Sequence, residues 1–294
     1  MNPFYMPFTA SPLKQNETYR EVLPLHPALR GIIRCFWGSD RPYLRNEENA
    51  MPTLVVPDTC ADIIYQIDYT ENSVAGYFCG VNDTSFVSQV DVKDGHLVSV
   101  FAIRFYAWEA WAFSEDSLKG TINSLYDVQS RFSWVDKVLR PQLFFKQSLK
   151  ERTALAEEVF LKRLFLARQN DTISYAISQI LDKKGRLGAD WLSRSCFISS
   201  RQLERLFHEY IGITPKKLCN LVRYQCLWNE ILRNPGFRVQ DAVYKYGYTD
   251  QSHLMREFKR YHTMDIKNAL AYAQGIPLSA EGNVGNIQYF PQSL

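Results

Sequence analysis

Two short stretches of this 294-residue chain carry side chains suited to reading nucleic-acid bases. In the first, Arg201, Gln202, Glu204, Arg205 and His208 lie within eight residues. In the second, Gln251, Ser252, Met255, Arg256 and Lys259 lie within GYTDQSHLMREFKRY, Gly247 to Tyr261. An arginine can donate two hydrogen bonds to guanine, a glutamine matches adenine, a methionine can touch the thymine methyl, and the acid Glu204 prefers the cytosine amino group. Lys216, Lys217 and Arg260 are suited to phosphates, which position a protein without specifying sequence. Taken singly, each of these residues is as readily an ordinary solvated position, so the case rests on how they are arranged.

The arrangement is a repeat. A displacement of 51 residues lays Asp190 on Asp241, Leu192 on Val243, Leu203 on Leu254, Arg205 on Arg256, Phe207 on Phe258 and Tyr210 on Tyr261. Each copy reads as a short helix, a tight turn and a second helix, which is helix-turn-helix anatomy. Leu203, Leu206 and Phe207 form the inner face of one second helix, and Leu254 and Phe258 that of the other, leaving the polar faces free. Periodicity and caps predict seven helices, at 172–184, 189–195, 199–210, 215–233, 238–246, 250–261 and 265–274. Ser199 with Gln202 three residues on reads as a capping box. Thr214-Pro215 places a cap before a first-turn proline, and Gly212 and Gly247 stand where helices end. The helix at 215–233 would be about 28 Å long at 1.5 Å per residue. Adjacent major grooves on one side of B-DNA lie about 34 Å apart. One rigid helix can therefore hold both second helices against a single duplex, with some bending of the DNA.

Ahead of this all-α region the patterning is different. Residues 1–20 read as a polar arm. Leu29, Ile32, Ile33 and Phe36 share a helical face. Thr53–Val56, Asp62–Ile67, Tyr77–Val81, Ser85–Val90 and His96–Phe105 read as strands between turn signals. Trp108–Phe113, Leu118–Val128 and Ser133–Phe165 read as helical. The expected fold is α+β: a β-rich regulatory domain at 1–168 with its helical part at about 106–168, an all-α domain at 169–275, and a tail at 276–294. Leu155, Val159, Lys162-Arg163 and Leu166 have the spacing of a partner face or of an internal core stripe.

Charge divides the same way. Residues 171–275 hold 16 Lys/Arg against 10 Asp/Glu, a balance of +6, and the remainder holds 18 against 21, a balance of −3. A basic third suits a polyanionic partner. The N-terminus lacks a signal-peptide pattern, and no apolar run is long enough to span a membrane. The six cysteines have no metal or redox spacing, which fits reduced thiols in a cytoplasmic protein.

Chemistry in the first half centres on Arg104, a charge within an apolar strand that needs a partner. Asp58 or Asp62 can supply it internally, the favoured reading. The sharper alternative is an anionic ligand, in a pocket lined by Trp37, Tyr65, Tyr77, Phe101, Trp108 and Trp111. Enzyme signals are poor. The histidines His26, His96, His208, His253 and His262 are dispersed and make no metal spacing. No nucleophile elbow, phosphate loop or dinucleotide fingerprint occurs. Cys60 between Asp58 and Asp62 is the single constellation worth testing as a nucleophile, and a buried thiol is the commoner outcome. No catalytic residue, cofactor or metal is expected.

GITPKKLCNLVRYQ and DAVYKYGYTDQSHLMREFKRY resemble the two helix-turn-helix halves of the AraC/XylS family of transcription regulators. The resemblance runs from Thr172 to about Ala273, carried by Gly247-Tyr248, Gln251-Ser252-His253, Arg256, Phe258-Lys259 and Gly212 with Pro215. It implies that Arg201, Glu204, Arg205, Ser252, Met255 and Arg256 face bases. It also implies double-stranded DNA and RNA polymerase as partners. The chain departs from the pattern at Cys196, where a glycine is frequent, and at Thr263-Met264-Asp265-Ile266. Leu29–Trp37, Val55–Tyr65 and Gly95–Phe105 resemble the β-rich domain that often precedes this module and that senses a small-molecule effector, forms homodimers, or both. Three function classes follow: an effector-controlled regulator, a ligand-free regulator set by abundance or a protein partner, and, remotely, a DNA-acting enzyme using Cys60.

Overall fold

Strict alternation of buried and half-buried residues from Ala61 to Asp68 makes a strand, and the sheet of the first half is built around it. The structure, a computed structural model, describes residues 5–8, 10–11, 18–46, 53–88 and 94–275. The predicted tail, most of the arm and the last two residues of the expected strand Ser85–Val90 lie outside them. In chain order the strands are β1 (Ala10–Ser11), β2 (Arg20–Val22), β3 (Ile33–Gly38), β4 (Tyr43–Leu44), β5 (Thr53–Val55), β6 (Cys60–Asp68), β7 (Ser73–Cys79), β8 (Phe86–Ser88), β9 (Leu97–Tyr106) and β10 (Leu125–Asp127). The larger sheet runs β10-β7-β6-β9-β3-β2, with β4 also on β9, and the smaller runs β1-β5-β8. The helices of this half are α1 (Ala107–Ala110), α2 (Gln129–Leu143) and α3 (Leu149–Arg163).

The register of β6 sorts its neighbours onto two faces. Tyr65 lies opposite Phe101, and Ile63 opposite Ile103 and Phe78. That face packs on Phe132, Val135, Leu139 and Phe160 of α2 and α3 as one core. Asp62, opposite Arg104 and Cys79, belongs to the other face.

Two expectations are corrected here. The stretch Leu29–Phe36 is not a helix: a short 3-10 turn at Pro27–Leu29 leads into β3. A register shift between Ile33 and Cys35 lets Ile33 and Phe36 enter the same core at an odd separation, and such a bulge mimics helical spacing. Leu118–Val128 is likewise a loop ending in β10. Gly120 (φ 84°) and Asn123 (φ 52°) turn the chain within it, and helical continuation is incompatible with those angles. The long helix expected over Ser133–Phe165 is two, α2 and α3, the second opened by a full capping box at Ser148 and Glu151.

The C-terminal helices follow the expected pattern closely: α4 (Asp171–Asp182), α5 (Ala189–Ser195), α6 (Ser200–Tyr210), α7 (Pro215–Arg233), α8 (Val239–Tyr246), α9 (Gln251–His262) and α10 (Ile266–Ala273). Their shared core is centred on α7, through fully buried Leu218, Leu221, Val222, Tyr224, Leu227 and Trp228. This core also takes in Leu54, Val56, Val81, Val87, Tyr106 and Trp108 from the β-rich half. The two halves are thus joined by continuous apolar packing.

Candidate nucleic-acid interface

The two units are built the same way. In α6, Leu203, Leu206 and Phe207 are buried, while Arg201, Gln202, Glu204 and Arg205 are exposed and His208 is half-buried. In α9, Leu254 and Phe258 are fully buried, while Gln251, Ser252, Arg256 and Lys259 are exposed. Met255 is half-buried and packs at the edge of the core. Each helix starts at a side-chain cap: Ser199 Oγ accepts from Gln202 N at 3.2 Å, and Asp250 Oδ1 from His253 N at 2.7 Å. Arg205 also reaches Glu209 at 3.3 Å on the helix surface. Of the three phosphate candidates, Lys216 is exposed, Arg260 lies over the Tyr261 ring at 4.4 Å, and Lys217 meets Asp83 at 2.7 Å.

The displacement of 51 describes the second helices but not the first ones. Ile198 N bonds Ser193 O, and Tyr248 N bonds Val243 O. Each of these bonds spans a residue of positive φ, Phe197 (φ 57°) and Gly247 (φ 69°). These are matching helix-end turns, so the first helices align at a displacement of 50, and Thr249 is the additional residue of the second turn. It is therefore Phe197, not Cys196, that stands in the position suited to glycine. Its ring is 95% exposed.

A buried network sets α9 against α7. Arg223 donates to both Glu257 oxygens at 2.8 Å, Tyr248 Oη donates to Glu257 at 2.9 Å, and the guanidinium lies over the Tyr248 ring at 4.6 Å. Nearby, His262 is fully buried with Nδ1 2.8 Å from Tyr224 Oη, and burial pushes its pKa down to about 3. Inspection of the sequence missed these positions, because an Arg and a Glu 34 residues apart show no local signal.

The β-rich half holds the ends of both second helices. Leu118 N (2.9 Å) and Ser117 Oγ (3.3 Å) donate to Glu209 O near the end of α6, and Ser85 Oγ donates to Tyr261 O near the end of α9. Trp111 packs on Tyr210 at 3.9 Å between ring centroids. On α7, Gln225 bonds Phe8 N, Phe8 O and Pro57 O at 2.8, 2.7 and 2.6 Å.

The residues singled out around Arg104 are divided rather than gathered. Tyr65 and Phe101 are fully buried against the helices. Trp37 and Tyr77 share the opposite face with Arg104, and Trp108 packs in the core common to both halves. Trp111 lies in the sheet–helix core. Arg104 Nε bonds Asp62 at 2.9 Å, Arg104 NH1 lies 3.7 Å from Glu21, and Trp37 Nε1 donates to Asp62 at 2.8 Å. Asp62, not Asp58, is thus the close internal partner. Cys60 is buried, and desolvation together with Asp58 pushes its thiol well above the usual range, which disfavours the nucleophilic thiolate. Among the described residues no group of three or more His, Cys, Asp or Glu is placed to hold a metal ion. Leu155 is spent in the sheet–helix core and Val159 packs against it, whereas Leu166 is exposed.

Residues 192–269, spanning both units, match a helix-turn-helix domain family. The chain carries an AraC-type DNA-binding domain. Residues 20–126 match a domain of unknown function, DUF6597. No curated protein matches the sequence. Among solved structures, similarity extends to an AraC-type regulator from Chromobacterium violaceum, at 20% identity over 34% of this chain and 90% of that one, with a TM-score of 0.32. The C-terminal domain of the response regulator yesN from Fusobacterium nucleatum aligns at 16% identity over 34% of this chain and 99% of that one, TM-score 0.32. Unsaturated fatty acid-bound ToxT from Vibrio cholerae aligns at 10% identity over 90% and 99% of the two chains, TM-score 0.39. The AraC-type domain makes this chain a DNA-binding transcription regulator. No helix among the described residues is long and apolar enough to cross a membrane.

Proposed function

We propose that α6 and α9 enter neighbouring major grooves of one duplex and read it with Arg201, Gln202, Glu204, Arg205 and His208, and with Gln251, Ser252, Met255, Arg256 and Lys259. Lys216, Lys217 and Arg260 supply salt-sensitive contacts to phosphate. The observation that carries this reading is the pair of capped helices, each buried on its apolar side and polar outside, fixed on the single 19-residue helix α7. Selection of bound sequences from a random duplex pool tests it, comparing wild type with Arg205→Ala/Arg256→Ala at fixed salt. An enriched site with two elements about one helical turn apart, weakened in the variant, supports the reading. Enrichment indifferent to both arginines sinks it.

The β-rich half sets when binding occurs, through a small-molecule effector or a second copy of the chain. A second reading, constitutive binding without an effector, draws on the internal pairing of Arg104 with Asp62 and Glu21, which leaves that charge compensated. DNA affinity that shifts on addition of the small-molecule fraction of a cell extract favours effector control, and affinity indifferent to it favours the second reading.

A further inference from the structure

The loop between β7 and β8 brings a carboxylate to the basic side of the C-terminal domain. Asp83 Oδ2 meets Lys217 Nζ at 2.7 Å, in the first turn of α7. Its other oxygen accepts from Asn123 Nδ2 at 2.6 Å, and Asp83 N donates back to Asn123 Oδ1 at 2.9 Å. Asn123 is itself held in the left-handed region, with its N–H on Val81 O. Two residues on, buried Ser85 binds the carbonyl of Tyr261. The carboxylate is therefore seated from both sides. Burial works to raise its pKa, but hydrogen bonds from Lys217 and Asn123 and the charges of Lys217 and Arg260 hold it below the ordinary value. A carboxylate paired with a lysine offers what a DNA phosphate offers: anionic oxygens that accept charge-assisted hydrogen bonds.

We propose that Asp83 occupies a phosphate seat of the DNA-reading surface, so that the β-rich half competes with the duplex for Lys217. This rests on the reading of Lys217 as a phosphate contact. A duplex must displace the carboxylate or approach against its charge, and whatever shifts the 82–85 loop raises affinity without altering base preference.

The test is a double-mutant cycle on the full chain, Asp83→Asn with Lys217→Gln, measuring affinity for the selected duplex across a salt series. Asparagine keeps a polar side chain facing Asn123, and thermal unfolding checks that each variant is folded. Asp83→Asn is expected to bind roughly three- to tenfold tighter at low salt, with a log–log salt slope steeper by about 0.9, the contribution of one phosphate. Lys217→Gln should cost more in the Asp83→Asn background than in wild type. If Asp83→Asn changes neither affinity nor slope while Arg205→Ala still weakens binding, the competition is wrong and the DNA reading stands. If neither Asp83→Asn nor Arg205→Ala has any effect, or no variant binds DNA, the DNA reading falls too. A folded Asp83→Ser variant should gain affinity as Asp83→Asn does, and failure to do so overturns the proposal independently of the amide.

Discussion

Replacing Gln225 by alanine probes how tightly the two halves are coupled. The side chain is 1% exposed and makes three hydrogen bonds, all to backbone groups of the β-rich half: Phe8 N, Phe8 O and Pro57 O. A net hydrogen bond is worth about 0.5–1.5 kcal/mol, and a buried group left unpaired costs about 1–3 kcal/mol. Phe8 lies near enough to the surface for water to replace part of its loss, so about 3 kcal/mol is the expected total for Gln225→Ala. Gln225→Glu should be worse, because a carboxylate then confronts two carbonyl oxygens and only the Phe8 N bond survives. Hydrogen exchange reads the effect directly, since Phe8 N–H is one of the bonded groups, and urea unfolding reads the total. A variant with full Phe8 protection and less than about 0.5 kcal/mol of lost stability would refute the view that Gln225 couples the halves.

Three further outcomes are expected. Glu257→Ala leaves the Arg223 guanidinium and the Tyr248 hydroxyl facing a void and should cost about 3–5 kcal/mol. Glu257→Gln, which keeps an acceptor, should cost less, and equal losses in denaturant unfolding would contradict the charge-pair argument. His262 has a folded pKa of about 3 against about 6.5 when unfolded. Below pH 6.5 the unfolded chain takes a proton that the folded chain refuses. Stability is therefore full above that pH and declines toward pH 3, by up to about 1.4 kcal/mol per unit; an unchanged slope in His262→Phe would rule this out. Phe197→Gly relieves a left-handed backbone worth about 1 kcal/mol and removes an exposed ring, so thermal unfolding should show a gain, and a loss would mean that the ring makes a stabilising contact.

The C-terminal helices were legible in the sequence because local signals agree there: an apolar stripe, an oxygen-bearing cap, and a glycine or proline at the right end. Helix α7 starts and stops where its cap and periodicity place it, and α5 where periodicity alone does. The β-rich half was harder to read. Around Ile33 the bulge breaks the alternation that marks a strand, and at Leu118 and Ile122 a helix-like spacing arises from a loop draped over the other domain. Leu118 is buried there, its N–H on Glu209 O. The outward residues of α6 and α9 could be named from the sequence, because burial of Leu203, Phe207, Leu254 and Phe258 dictates what faces out. The residues that hold these helices in place were hidden, since Asp83, Ser85, Ser117 and Gln225 act across separations of 40 to 217 residues.

The hydroxyls and amide that grip the ends of α6 and α9 have a bearing on operator grammar. With α7 fixing one separation and Ser117, Leu118 and Ser85 tying each far end to a common body, neither reading helix is free to swivel about the other. Each base pair inserted between half-sites rotates the second by about 34–36° around the duplex axis, at 10–10.5 base pairs per turn. A flexible tether could follow that rotation; this body can answer it only by twisting the DNA. Gaps one base pair too long or too short should then be rejected through duplex torsion, with every base in both half-sites unchanged.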